Sequence, residues 1–301
     1  MKKEWLAHLS LLFVAFIWGA TFVVVQQAIS LVEPFTFNAV RFLLAGSILL
    51  IAQLVYSTKK KMPIPKKSIG PGMLIALFLF SGYLFQTFGL LYISSSKAGF
   101  LTGLSIVMIP IFSYIFLKQK TSFFAIIGIA AAITGLFLLT IKNSFSLEKG
   151  DILVLCCAVS FAIHILINGK YSQTFPPLFL SAVQVLGVGV LSSICAFLFE
   201  DWQRLLSPAL WINGSFLFAL LLTSLFATSL AFFIQTAAQK YTSPTRVAII
   251  FATEPVFAAA TAVLVTHERL TIIEILGCML ILLGMIFAEL PSKTKEKAQA
   301  A

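Results

Sequence analysis

Charge is what this chain has least of. Only 11% of its 301 residues are charged, while 59% are apolar and 30 are Phe. A water-facing domain of this length carries about 25% charged residues. So few charges cannot cover a surface in water, and the chain is expected to be faced by lipid. Cysteine is scarce too: Cys156, Cys157, Cys195 and Cys278 all lie in apolar runs, with no CxxC and no metal-like spacing. A disulfide framework and a metal centre are therefore excluded from the reading, and the thiols are taken as small buried hydrophobes. HExxH, GxSxG and P-loop motifs are missing, as is a pair of membrane acids suited to an intramembrane protease. Neither an enzyme nor a cofactor is expected. Without an ATP site, transport must draw on a gradient or on exchange. No loop is long enough to house a soluble domain.

What the sequence has is long apolar stretches. Ten of them suffice to cross a core of roughly 30 Å, which takes about 20 helical residues: 9–30, 34–56, 70–92, 97–117, 122–141, 151–169, 177–199, 211–236, 243–265 and 270–290. Their length favours helices over barrel strands. The predicted fold is an all-α polytopic membrane protein. Placing the N-terminus inside puts Lys2, Lys3, Lys59, Lys60, Lys61, Lys66, Lys67, Lys118, Lys120, Lys170, Lys240, Arg246, Lys293, Lys295 and Lys297 on the cytoplasmic side. Only Lys97, Lys142, Lys149, Arg204 and Arg269 then face out, with Arg41 inside a span. This bias is the positive-inside signal, and it predicts both termini cytoplasmic and a multi-pass protein of the cell membrane. The net charge of +10 is thereby read as topology facing anionic lipid, and no nucleic-acid partner is needed. The first apolar run is too long for a signal peptide's h-region and AFIWGATF offers no convincing cleavage site, so this span is expected to be retained.

The chain also repeats. At an offset of 143, AFIWGATF (15–22) lies over AVSFAIHI (158–165), pairing Trp18 with Phe161 and Thr21 with His164. PFTFNAVRFLLAG (34–46) lies over PLFLSAVQVLGVG (177–189), pairing Arg41 with Gln184 and Gly46 with Gly189. Further on, Pro110 meets Pro255, and Gly128 and Gly135 match Gly277 and Gly284. These matches predict two five-helix units, 8–142 and 150–290, followed by a basic cytoplasmic tail, 291–301. Five is odd, so the second unit starts on the opposite side and the halves are related by a pseudo-two-fold in the membrane plane. Inverted repeats of this kind build secondary transporters, with the site near mid-membrane.

WGATF, the Arg in NAVRFLLAG, EPVFAA followed by HERLT, and the ending GCMLILLGMIF resemble the EamA-type branch of the drug/metabolite transporter superfamily. The resemblance implies ten helices around a central cavity and the export of amino acids or other metabolites. This chain departs from an ideal repeat, since Ile109 rather than an acid precedes Pro110. The site is therefore expected to be asymmetric.

A charge at mid-bilayer costs at least about 2.5–3.5 kcal/mol, so it faces a cavity or a partner. Three titratable groups lie deep in spans: Glu254, His164 and Arg41. Glu254 is expected to couple protons or bind substrate, with Pro255 and its partner Pro110 as hinges that free a backbone carbonyl. Two structural roles compete for it, pairing with Arg41 or a protonated carboxyl held by a hydroxyl such as Thr261. Arg41 either snorkels to the outer interface or binds a substrate carboxylate. His164 is a relay, a ligand contact or a packing residue. Trp18, Tyr83, Gln86, Gln184 and Gln235 are candidate cavity-lining groups, each with helix packing as the alternative. The glycines serve close helix contact. The expected function is secondary export of a small metabolite such as an amino acid by alternating access, with protons as the candidate coupling ion, in a monomer or homodimer. The alternative is a membrane component that does not transport, such as a lipid handler or receptor.

Overall fold

A computed structural model of the chain describes residues 2–118, 121–140, 148–266 and 270–289. Lys120, Lys142, the His267–Glu268–Arg269 turn and the basic tail lie outside the described residues, so the expectations placed on them stay there. Among the described residues the chain is helical with no strand: α1 (Lys2–Ala28), α2 (Pro34–Lys60), α3 (Ile69–Gly89), α4 (Ser95–Gly103), α5 (Ser105–Leu117), α6 (Phe123–Thr140), α7 (Lys149–Ser172), α8 (Pro177–Phe199), α9 (Pro208–Ile212), α10 (Gly214–Leu222), α11 (Ala231–Gln239), α12 (Pro244–Phe251), α13 (Glu254–Thr266) and α14 (Ile272–Glu289). A π-helical stretch, Thr223–Leu230, joins α10 to α11 without interruption. Seven helical rods, α4–α5 counted as one, are long and apolar enough to cross a membrane; the apolar parts of α6 and α14 are shorter. The α4–α5 and α12–α13 rods are broken, at Leu104 and at Ala252–Thr253.

The distribution of side chains inverts that of a water-soluble protein. Ile51, Phe116, Phe197 and Leu276 are exposed on the outside of the bundle, while Gln53, Asn168, Gln184, Thr236 and Gln239 are buried. Hydrocarbon offers no partner to a polar group, so amides and hydroxyls turn inward and find one another.

The repeat is visible as reciprocal contact. The two most extensive helix pairings are α6 with α14 and α2 with α8, each joining a helix to its own repeat mate. A Cβ built on Gly135 would lie 2.5 Å from the Gly277 carbonyl, and one built on Gly284 would lie 2.5 Å from the Gly128 carbonyl. In the same way Gly46 abuts Leu186, and Gly189 abuts Leu43. Residue i of one half meets j of the other while the mate of j meets the mate of i, which is the signature of a two-fold. Along each pair one chain rises as the other falls, so the mates run antiparallel and the axis lies across the helices. The halves are inverted. The mixed pairings obey the same symmetry, with α3 on α7 matched by α11 on α1.

Short polar exchanges tie the halves at their ends. Glu33, at the N-cap of α2, makes no capping bond to its own helix. Glu200, from the end of α8, supplies the cap instead, accepting from the Phe35 and Thr36 backbone N–H groups at 2.8 and 2.7 Å and from the Thr36 hydroxyl at 2.8 Å. Glu33 repays the contact by accepting from the Asp201 N–H at 2.8 Å. Burial raises the pKa of Glu200, outweighing these donors. At the opposite end Arg246 is paired with Glu4, and His8 bonds the Thr242 hydroxyl at 2.8 Å. Replacing Glu200 with Ala leaves two N–H groups of α2 uncapped. The Glu200→Ala protein is expected to lose about 1–2 kcal/mol of stability, read as a lowered thermal midpoint in detergent.

Candidate functional site

Both helix breaks open onto one central cavity, lined at the first break by Gly99, Thr102, Gly103 and Ser105 and at the second by Phe251, Ala252, Glu254 and Pro255. Paired interruptions at matching places in two inverted halves are where transporters bind their cargo. The lining runs from Trp18 to Val25 on α1 and from Leu79 along α3 to Leu90 just past its end, towards the end where these helices finish. Towards the other end the bundle is filled by Leu11, Ile106, Ile109, Ala238 and Val247.

Pro255 is the second residue of α13, where its missing N–H and fixed φ suit the start of a helix. Pro110 behaves differently. It lies inside α5, six residues past the first break, and does not line the cavity. The break falls instead at Gly103-Leu104-Ser105, where small and flexible residues resist helix continuation. The shared prolines therefore occupy unlike places in the two halves.

The walls of the cavity are aromatic. Trp18 meets Phe232 at a centroid distance of 5.5 Å, and its repeat mate Phe161 meets Tyr83 at 5.4 Å. Tyr83 and Phe232 close the row across the pseudo-axis at 6.2 Å. Trp18 is fixed by a 2.8 Å bond from its indole N–H to the Ala227 carbonyl, a group within the π-helical stretch. Such a widened turn leaves backbone carbonyls free for outside donors and recurs at functional sites.

Arg41 is 2% exposed and does not reach outward. Its Nε donates to the Thr228 hydroxyl at 2.7 Å, and its guanidinium lies 5.2 and 5.1 Å from the Phe42 and Tyr83 ring centroids. The snorkelling alternative is thus not what the structure adopts. Glu254 lines the same cavity, and among the described residues no ion pair or hydrogen bond engages its carboxylate. The anticipated pair with Arg41 is not formed. Thr261 does not hold the carboxyl either, because its hydroxyl donates to the Phe257 carbonyl at 2.8 Å.

His164, Gln86 and Gln235 also line the cavity. Gln86 donates to Thr102 at 3.4 Å. Gln184, expected on the wall, lies behind it, fully buried and bonded to His164 Nε2 at 2.9 Å. Thr21, Thr102, Ser105, Phe161, Phe232 and the π-helical stretch were not among the expected site residues. The repeat pairing of Trp18 with Phe161 and of Thr21 with His164 was the signal that pointed to two of them.

The EamA-like transporter family profile matches residues 5–141 and again 148–289. An uncharacterized transporter of Archaeoglobus fulgidus is 34% identical over 289 residues, 96% of this chain and 87% of that protein. The uncharacterized transporter YoaV of Bacillus subtilis is 24% identical over 92% of this chain and 94% of its own. A solved crystal structure with 20% identity superimposes with a TM-score of 0.77 over 96% of this chain and 98% of that one, so the fold is shared.

Gly19, in WGATF, packs directly on the second break. A Cβ there meets the Glu254 carbonyl oxygen and comes within 2.9 Å of the Ala258 nitrogen, both backbone atoms that cannot step aside. Gly19→Ala is expected to cost about 1–3 kcal/mol, measured as a fall in thermal midpoint. Gly99→Ala, whose Cβ meets nothing within 4 Å, serves as the silent control.

Proposed function

The chain belongs to the EamA-like transporter family and is a multi-pass membrane transporter, and from that premise we propose that it exports a small polar or amphipathic metabolite, such as an amino acid, by proton-coupled alternating access. One observation carries the reading. A carboxylate with no hydrogen-bond or ion-pair partner among the described residues, Glu254, stands at a helix break beside a cavity that also holds the Arg41 guanidinium. A buried carboxylate that no cation neutralises is costly when ionised. Its cost falls when it takes up a proton or meets a cationic group of the cargo, so the two compete for one site. That competition is the elementary step of an antiporter: the carboxylate releases the proton to bind cargo, and releases cargo to rebind the proton.

The geometry supports the exchange between two faces. The cavity extends towards the end at which α1 and α3 finish, which the distribution of basic residues makes the outer side. The cytoplasmic end is closed by the Glu4–Arg246 pair, the His8–Thr242 bond and the apolar plug around Leu11 and Val247. Inverting the two repeats about their shared axis exchanges the open and closed ends. Arg41 supplies a positive group for an anionic part of the cargo, and the aromatic row supplies its apolar bed.

Reconstitution into proteoliposomes under an imposed pH gradient, with a panel of labelled amino acids, tests the proposal. Glu254→Gln preserves shape and removes the titratable group. The variant is expected to insert normally and to lose proton-driven flux. Flux that keeps its dependence on pH in this variant rules out the coupling role.

A further inference from the structure

His164 is held from behind by a chain of hydrogen bonds whose direction can be read from one end. The Gln239 side chain contacts the backbone carbonyl of Ile165 at 3.0 Å. A carbonyl only accepts, so the Gln239 NH₂ points there and its Oε1 faces Asn168. Asn168 Nδ2 therefore donates to Gln239 Oε1 and, at 3.2 Å, to Thr236 Oγ1, while the Thr236 hydroxyl also lies 3.4 Å from Asn168 Oδ1. Thr236 Oγ1 accepts in addition from Gln184 Nε2 at 3.0 Å. Gln184 Oε1 is then left facing His164 Nε2 at 2.9 Å. An oxygen without a proton demands a donor, so His164 carries its proton on Nε2. All five of these side chains are buried. Three carboxamides stand in the chain, and they do not hand protons on. The chain is a clamp on the ring, not a relay to the cytoplasm.

The consequence lies on the cavity side. Nδ1 of His164 makes no hydrogen bond among the described residues, and with the proton on Nε2 it offers a lone pair to the cavity. Gln235 lines the same cavity, is 1% exposed, and its amide makes no hydrogen bond among the described residues; its Oε1 is buried without a donor. A buried amide left unpaired costs about 1–3 kcal/mol, which is removed when the amide turns its Oε1 into the cavity towards a ligand that donates to it. Glu254 adds a third acceptor to the same cavity. We infer that His164 Nδ1, Gln235 and Glu254 form a subsite for a primary ammonium group, whose three N–H donors match three acceptors. A quaternary ammonium carries the same charge but no donor, and this subsite rejects it. The inference rests on the proposed transport reading for its purpose, yet it is testable in the resting protein without any flux.

Full-length protein labelled with ¹⁵N-histidine, in nanodiscs, gives the test, since protonated and bare imidazole nitrogens resonate far apart. The chain has three His, and His164→Gln identifies the signals of interest. The expected result is a protonated Nε2 and a bare Nδ1, with Nδ1 shifted by n-butylammonium and not by tetramethylammonium. Gln235→Leu is expected to raise the half-saturating n-butylammonium concentration roughly tenfold, the loss of one charge-assisted hydrogen bond. Gln184→Leu releases the ring and brings in an Nδ1–H signal, whereas Gln184→Glu, still an acceptor, keeps Nδ1 bare. An Nδ1–H signal in the wild type, from the other tautomer or from imidazolium, overturns the inference. So does an Nδ1 that n-butylammonium leaves unmoved, or one that tetramethylammonium moves equally. Failure of proton-driven flux alone leaves these spectra as expected, so the two readings fall separately.

Discussion

Backbone polarity in a medium without water governs this molecule. In hydrocarbon each N–H and C=O must find its partner inside the protein, so unbroken helices face outward and the breaks within the spans face inward. The breaks at Leu104 and Ala252–Thr253 border the cavity, and the π-helical stretch hands a carbonyl to Trp18. The interior is thus where the chain departs from regular helix, and the same departures create the polar concavity that a solute needs.

Symmetry supplies the scaffold and asymmetry the chemistry. The aromatic row, the glycine contacts and both helix breaks occur in mated pairs. The ionisable groups do not. Ile109 is a buried packing residue where Glu254 has its counterpart, and Gln184 supports a histidine where Arg41 faces the cavity. Duplicated packing keeps the two halves interchangeable in shape. Unpaired charges then give the cargo one orientation in a nearly symmetric room.

Much of this was legible in the residues. Length and apolarity located the helices, the 143-residue offset located the duplication, and isolation in an apolar run marked Glu254. The glycine matches were legible as close packing because only a missing Cβ lets a carbonyl approach so near. Other features were not. Pro110 drew attention as a hinge, but one lost N–H bends a helix without deciding where it parts, and the gap fell at Gly103-Leu104-Ser105. The inward turn of Arg41 depends on Thr228, and the placement of Gln184 on Thr236 and His164. Those partners come from other helices, and no periodicity within one span announces them. The π-helical stretch is equally silent, since its composition suits a regular helix.

The reciprocal contacts of α6 with α14 carry a historical implication. Gly135 receives the Gly277 carbonyl, and Gly284 receives that of Gly128. A surface of this sort is self-complementary: one five-helix unit bearing both glycines, set upside down against a copy of itself, satisfies each contact twice. The seam between the halves has the form of a homodimer interface. The linker after α6 joins subunits that such an interface already suits to one another, and fusion then frees each copy to change without the other.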